Sequence, residues 1–190
     1  MNRTWTGVAV AVLLVVLSGC GQQAPGGRDA TVAAGTCLGP RVAAEAGPAV
    51  AGAVPDLTLP CLDGSGSVHI RALTGPAVVN LWASWCEPCR TELPAFQRFA
   101  RRAGGQVPVV GVNTSDDRGR AQSVIDDLGL TFPMLSDERK QLLAGVGRTA
   151  LPATLFIAAD GRLAYLHNAE VLDDAALARL VSEHLGVAVR

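Results

Sequence analysis

Cys86 and Cys89 stand two residues apart in Trp82-Ala83-Ser84-Trp85-Cys86-Glu87-Pro88-Cys89-Arg90. Two thiols at this spacing, between a strand-like run and a helix-like run, make a redox centre. The run before them, Pro76-Ala77-Val78-Val79-Asn80-Leu81-Trp82, is short, apolar and β-branched, as a buried strand requires. The run after them carries Leu93, Phe96, Phe99 and Ala100 at helical spacing and predicts an amphipathic helix. The pair therefore falls at a strand-to-helix turn, where unpaired backbone N–H groups and the positive end of the helix dipole favour an anion. Cys86 is placed to become that anion, because a helix N-terminus lowers a thiol's pKa from its free value of about 8.5.

Two other readings compete for such a pair. A structural zinc site needs a second close pair or a Cys/His cluster, and Cys37 and Cys61 stand alone and far apart, so no metal is expected. Two buried core cysteines would fit poorly with Glu87, Pro88 and Arg90, charged and turn-forming neighbours that place the pair at a surface.

At 190 residues the chain has room for one domain with a single core once a leader is removed. The net charge of −1 is spread over interspersed groups, which gives no footprint for a nucleic-acid partner. Aromatic residues make up only 4% of the chain, so the two tryptophans beside the cysteines stand out. Trp82 reads as core packing; Trp85, next to the nucleophile, reads as part of the rim where a partner docks.

The N-terminus bears on the compartment. Asn2-Arg3 precedes an apolar run from Gly7 to Leu17, short for a bilayer span but suited to the core of a signal peptide. Leu17-Ser18-Gly19-Cys20 resembles the bacterial lipobox, which would make residues 1–19 a signal peptide and Cys20 the lipid-modified N-terminus. A plain secretory signal with a stray cysteine and an uncleaved anchor helix are the alternatives. Residues 20–54 are largely Gly-, Ala- and Pro-rich and read as a tether, with the domain proper at 55–190. Setting Cys20 aside leaves four cysteines, an even number suited to an oxidising location. Spacing favours Cys86 with Cys89. Cys37 and Cys61 then form a structural disulfide, remain free, or act as a second exchange pair.

Along the domain, Pro55–Pro60 and Val68–Ile70 predict a hairpin across Asp63-Gly64-Ser65-Gly66, followed by the strand and helix around the cysteines. Strands follow at 107–112 and 131–135, with a helix through Ala121 to Gly129 between them, capped within Asn113-Thr114-Ser115-Asp116-Asp117. A helix at 138–144 leads to strands at 153–158 and 163–167, joined at Asp160-Gly161. Asp173-Asp174 caps a last helix that Gly186 ends. This order predicts an α/β three-layer sandwich with a mixed sheet.

From Pro55 to Leu185 the chain resembles the membrane-anchored thioredoxin-fold proteins of the TlpA/ResA type. The segment Val79 to Pro94 carries the family's strand, Trp-Cys-x-Pro-Cys and Glu-x-Pro, residues 121–132 resemble its central insertion, and Leu151-Pro152-Ala153-Thr154 resembles its cis-proline loop. The resemblance implies that Cys86 attacks a partner disulfide and that Cys89 resolves the mixed disulfide. It implies a cis Pro152 that leaves the backbone of Leu151 free to pair with an extended substrate beside Trp85 and Pro88, and Glu92 as the acidic residue that relays protons to the thiols. Asn80 stands where plain thioredoxin has a buried aspartate, which makes Glu92 the better proton acceptor; its other reading is a solvated helix residue. Gly145 to Leu151 runs a residue or two longer than the family's loop and lacks its aromatic, and Ala158 replaces an acidic residue, departures that bear on partner recognition.

The implied activity is extracytoplasmic thiol-disulfide exchange by a monomer. It would reduce disulfides of exported proteins, apocytochrome c among them, with electrons from a membrane thiol carrier and no cofactor beyond the redox-active disulfide. Glu87 and Glu92 oppose thiolate formation and favour a reducing protein, while Arg90 acts the other way. The alternatives are a disulfide-introducing oxidase of the same fold and a copper-binding chaperone resembling the Sco group with His167 as distal ligand. A peroxidase of the peroxiredoxin type would need Thr and Pro where Ala83 and Val79 stand.

Overall fold

The protein is described here by a computed structural model, covering residues 1, 37–38, 52, 54–73 and 75–189. The leader and Cys20 lie outside the described residues. Among the described residues twelve elements follow in order: β1 (Thr58–Pro60), β2 (Ser67–His69), a 3-10 turn (Ile70–Ala72), β3 (Ala77–Trp82), α1 (Glu87–Ala103), β4 (Val109–Thr114), α2 (Arg118–Leu128), β5 (Met134–Asp137), α3 (Gln141–Gly145), β6 (Ala153–Ile157), β7 (Leu163–His167) and α4 (Asp174–Leu185).

Five strands form one sheet in the order β5-β4-β3-β6-β7, with β3, β4 and β5 parallel and β6 and β7 antiparallel to their neighbours. This is the thioredoxin-like α/β fold. Every residue of β3 is buried, as the central strand of a sheet covered on both faces must be. Its side chains alternate. Val78 and Trp82 enter a core with Leu93, Phe96 and Phe99 of α1 and Leu177 and Val181 of α4, while Val79 and Leu81 enter a second core with Leu142 and Leu143 of α3 and Leu59 and Val68 of the hairpin. Asn80 shares the first face, so the strand aims an amide at α1.

Several element boundaries differ from the sequence reading, and those of β4, β5 and α3 have local reasons. β5 begins at Met134 rather than Thr131: Pro133 has no N–H to donate, and the Thr131 N–H donates instead to Oε1 of Gln97 on α1 at 2.6 Å. It runs on to Asp137, whose buried carboxylate accepts the N–H groups of Gln141 and Leu142 at 2.7 and 3.0 Å, so α3 starts after that cap. β4 likewise extends through Asn113 and Thr114, polar residues that the sheet buries.

Four residues of the segment read as a tether, Cys37, Leu38, Gly52 and Val54, are held on the domain, with Val54 buried in the second core. Leu38 is buried in the second core beside Cys37, and the Gly52 carbonyl accepts the Leu163 N–H at 3.0 Å. Among the described residues no helix is long and apolar enough to cross a membrane.

Candidate active site

Cys86 caps α1. Its backbone is extended, its Sγ accepts the Cys89 N–H at 3.3 Å, and Pro88 occupies the first turn, where a missing N–H costs nothing. Cys86 and Cys89 form a disulfide, with an S–S distance of 1.99 Å and Cα atoms 5.3 Å apart. Cys86 retains 5% exposure and Cys89 none, so of the pair only the first residue meets solvent. Trp85 is 58% exposed, unlike the fully buried Trp82, and its Nε1 donates to the Ser115 carbonyl at 3.0 Å.

Leu151–Pro152 is a cis bond, and so is Gly75–Pro76. The loop before β6 is held from β7: Nδ2 of Asn168 donates to the carbonyls of Ala150 at 3.1 Å and of Pro152 at 2.5 Å. The carbonyls on either side of Leu151 are thereby taken, while Leu151 itself is only partly buried.

Behind the cysteine loop lies Asp116, whose side chain is wholly buried. It accepts the Ser84 N–H and hydroxyl at 2.5 and 2.7 Å, an Asn113 Nδ2 hydrogen at 2.8 Å and the Asp117 N–H at 2.8 Å. Burial pushes its carboxyl up, but these donors hold it below the usual carboxylate range. Asp116 follows Ser115, a left-handed residue at φ 52°, and precedes Asp117, the N-cap of α2. The sequence reading treated this stretch as a helix cap alone; it also carries the anchor of the Cys86 loop.

Glu92, one helical turn beyond Cys89, is 1% exposed, so it is not a solvated helix residue. Its Oε1 accepts from Asn80 Nδ2 at 2.7 Å and its Oε2 from the Leu172 N–H at 3.1 Å; Asn80 Nδ2 also donates to Thr154 Oγ1 at 3.2 Å. Burial pushes the carboxyl up to about 7, although Leu172 and Asn80 pull it down. Such a group can take or give a proton at neutral pH.

The remaining residues singled out from sequence fall elsewhere. Cys37 and Cys61 form a disulfide with Cα atoms 6.1 Å apart, and Cys61 is fully buried. His167 ends β7 with Nε2 at 2.8 Å from the Glu170 carbonyl, and among the described residues no three His, Cys, Asp or Glu side chains converge as a metal would need. The two other histidines also lie in contacts of their own: His69 pairs with Asp56 at 2.9 Å and His184 stacks on Tyr165 at 3.9 Å.

Comparison with known proteins agrees with this architecture. The AhpC/TSA family matches residues 50–166, more than half of the chain. Thiol-disulfide oxidoreductase ResA of Geobacillus thermodenitrificans is 30% identical over 117 residues, 60% of this chain and 67% of that protein. The thiol:disulfide interchange protein DsbE homolog of Paracoccus denitrificans is 37% identical over 94 residues, 49% of this chain and 50% of that protein. Against such curated relatives the chain thus spans half to two thirds of their length. A secreted Mycobacterium tuberculosis disulfide oxidoreductase, described as homologous to DsbE of E. coli, superposes with a TM-score of 0.60 at 27% identity, covering 67% of this chain and 96% of the other. The chain belongs to the AhpC/TSA family, as a thioredoxin-fold member of the TlpA/ResA-like thiol-disulfide oxidoreductases.

Proposed function

We propose that this protein is an extracytoplasmic reductase of protein disulfides, held at the membrane by a lipid on Cys20 and recharged by a membrane thiol carrier. The observation that carries this reading is the pairing of a helix-capping Cys86 with a buried Glu92 one turn beyond Cys89. In the reduced protein the Cys86 thiolate, favoured by the first turn of α1, attacks one sulfur of a substrate disulfide. A bond forms between Cys86 Sγ and that sulfur, and the other substrate sulfur leaves as a thiolate that takes a proton from solvent. Cys89 then passes its thiol proton to the Glu92 carboxylate and attacks Cys86 Sγ. The second substrate sulfur leaves as a thiolate, and the Cys86–Cys89 disulfide closes. Two electrons move from the protein dithiol to the substrate, and an external dithiol must return them.

Trp85 and the Leu151–Pro152 loop offer an exposed aromatic surface and a backbone segment for an extended peptide to pair with. Exported proteins, apocytochrome c among them, are the substrates this reading assigns. The Cys37–Cys61 disulfide supports an oxidising compartment.

The test is the reduction potential of the Cys86–Cys89 couple, measured by equilibration with thiol buffers in a Cys37→Ser/Cys61→Ser background and checked in the unaltered protein. A value near or below about −270 mV, that of thioredoxin, is expected for a reductase. A value near about −120 mV, that of DsbA, would make the protein a donor of disulfides instead.

A further inference from the structure

Asn80 meets Glu92 through its amide nitrogen and leaves its amide oxygen buried without a partner. Both oxygens of the Glu92 carboxylate already accept hydrogens, from Asn80 Nδ2 and from the Leu172 N–H. That arrangement suits the anion. Once the carboxylate takes a proton, its new O–H needs an acceptor, because a buried hydroxyl left unpaired is costly. Among the described residues one buried side-chain acceptor lacks a partner, and it is Oδ1 of Asn80, the other end of the same amide.

A half-turn of the Asn80 amide exchanges its two ends. Oδ1 then faces Glu92 Oε1 and Thr154 Oγ1, the two atoms that Nδ2 meets at 2.7 and 3.2 Å. The protonated acid can donate to it, and the Thr154 hydroxyl, which accepts in the first orientation, can donate in the second. One amide end stays without a partner in either orientation, so that cost is broadly shared and the charge on Glu92 decides between them.

We propose that Asn80 is a positioning residue that turns its amide as Glu92 gains and loses its proton, presenting a donor to the carboxylate and an acceptor to the acid, with Thr154 reversing its hydroxyl in step. The inference rests on the reading of Glu92 as the proton acceptor for Cys89 and adds the device that lets the same buried site hold both forms. It gives an asparagine a role where an aspartate would compete for the proton. In the resolving step the proton leaves Cys89 Sγ and arrives at Glu92, the Asn80 amide turns, and no other bond is made or broken at Asn80.

Other groups around the carboxylate do not supply this switch. α1 carries Cys89 three residues before Glu92, β3 brings Asn80, β6 brings Thr154 behind Asn80, and the segment before α4 brings the Leu172 N–H. The titratable residues on the flanking elements are engaged elsewhere: His167 of β7 with the Glu170 carbonyl, Asp173 with the Ala176 N–H, and Asp174 with Arg98 and Arg102. No charged neighbour is among the causes of the Glu92 shift.

The experiment is nuclear magnetic resonance of the isotope-labelled, oxidised protein between pH 5 and 9. It follows the Glu92 carboxyl carbon and, in the same samples, cross-relaxation between the Asn80 amide protons and the Thr154 side chain. The expected result is a Glu92 titration in the neutral range, with the Asn80–Thr154 cross-relaxation present at high pH and lost at low pH with the same midpoint. In Glu92→Gln the cross-relaxation should no longer depend on pH. A Glu92 carbon that titrates while the cross-relaxation stays constant overturns the turning amide and leaves Glu92 as proton acceptor. A Glu92 carbon that does not titrate in this range overturns both.

Discussion

Glu92 is a carboxyl group whose charge the fold penalises by burial and only partly restores through two hydrogen bonds. Its ordinary value of 4.5 rises to about 7 in the folded protein. Between those values the folded state holds a proton that the unfolded chain has released, so stability is fully present below the lower value and is lost as pH rises through the higher one. That loss is expected to be on the order of 3 kcal/mol, and Glu92→Gln should flatten it; urea unfolding of the oxidised protein at pH 5 and pH 8 measures both. The same substitution should slow release of the mixed disulfide by roughly 100-fold at pH 7, since it removes the proton acceptor. The carboxyl was legible in the sequence because it lies on the same helix as Cys89. Asn80 was singled out with it, but the Leu172 N–H that binds Glu92 lies 80 residues away, and Thr154, which binds Asn80, lies 74 residues from Asn80, so neither was legible.

The loop between β4 and α2 does at the level of an element what Glu92 does at the level of a residue. Asp116 ties Ser84, two residues before the nucleophile, to the start of α2, and the Ser115 carbonyl takes the Trp85 indole. Asp116→Ala would leave the Ser84 and Asn113 donors without their acceptor, and a loss of roughly 2–3 kcal/mol in urea unfolding is expected, with slower exchange toward a small disulfide. Asp116→Asn, which keeps one acceptor oxygen, should fall between that variant and the unaltered protein. Asn168 makes a separate prediction. Its amide holds the carbonyls of Ala150 and Pro152, so Asn168→Ala should raise KM for a disulfide peptide about tenfold, the equivalent of 1.4 kcal/mol, while exchange with a small disulfide is unchanged. The elements themselves were largely readable: apolar runs, Gly129, Gly186 and the aspartates at the N-cap and first position of α4 mark their ends by local chemistry. β5 was not placed correctly, because Gln97 on a distant helix captures Thr131, and α3 begins late because a buried Asp137 caps it.

The whole molecule depends on a second disulfide that local chemistry does not require. Cys37–Cys61 closes a loop across a separation of 24 residues, and opening it with Cys37→Ser and Cys61→Ser should cost about 3 kcal/mol in the chain-entropy model, read from the urea midpoint. Its position matters as much as its strength. Cys61 bridges antiparallel to Leu135, the Leu62 N–H donates to the Met134 carbonyl, and the Leu163 N–H donates to the Gly52 carbonyl. β5 and β7, the two outer strands of the sheet, are therefore each partly covered by chain that precedes β3. An uncovered outer strand invites any extended polypeptide to add on, including another copy of the same protein. On the proposed function, in which a substrate peptide pairs in extended form with one short loop, that hazard would be met at every encounter. Blunting both outer strands would then leave the loop at Leu151 as the favoured place for that peptide, so that its capture would lead to exchange of sulfur rather than to growth of a sheet.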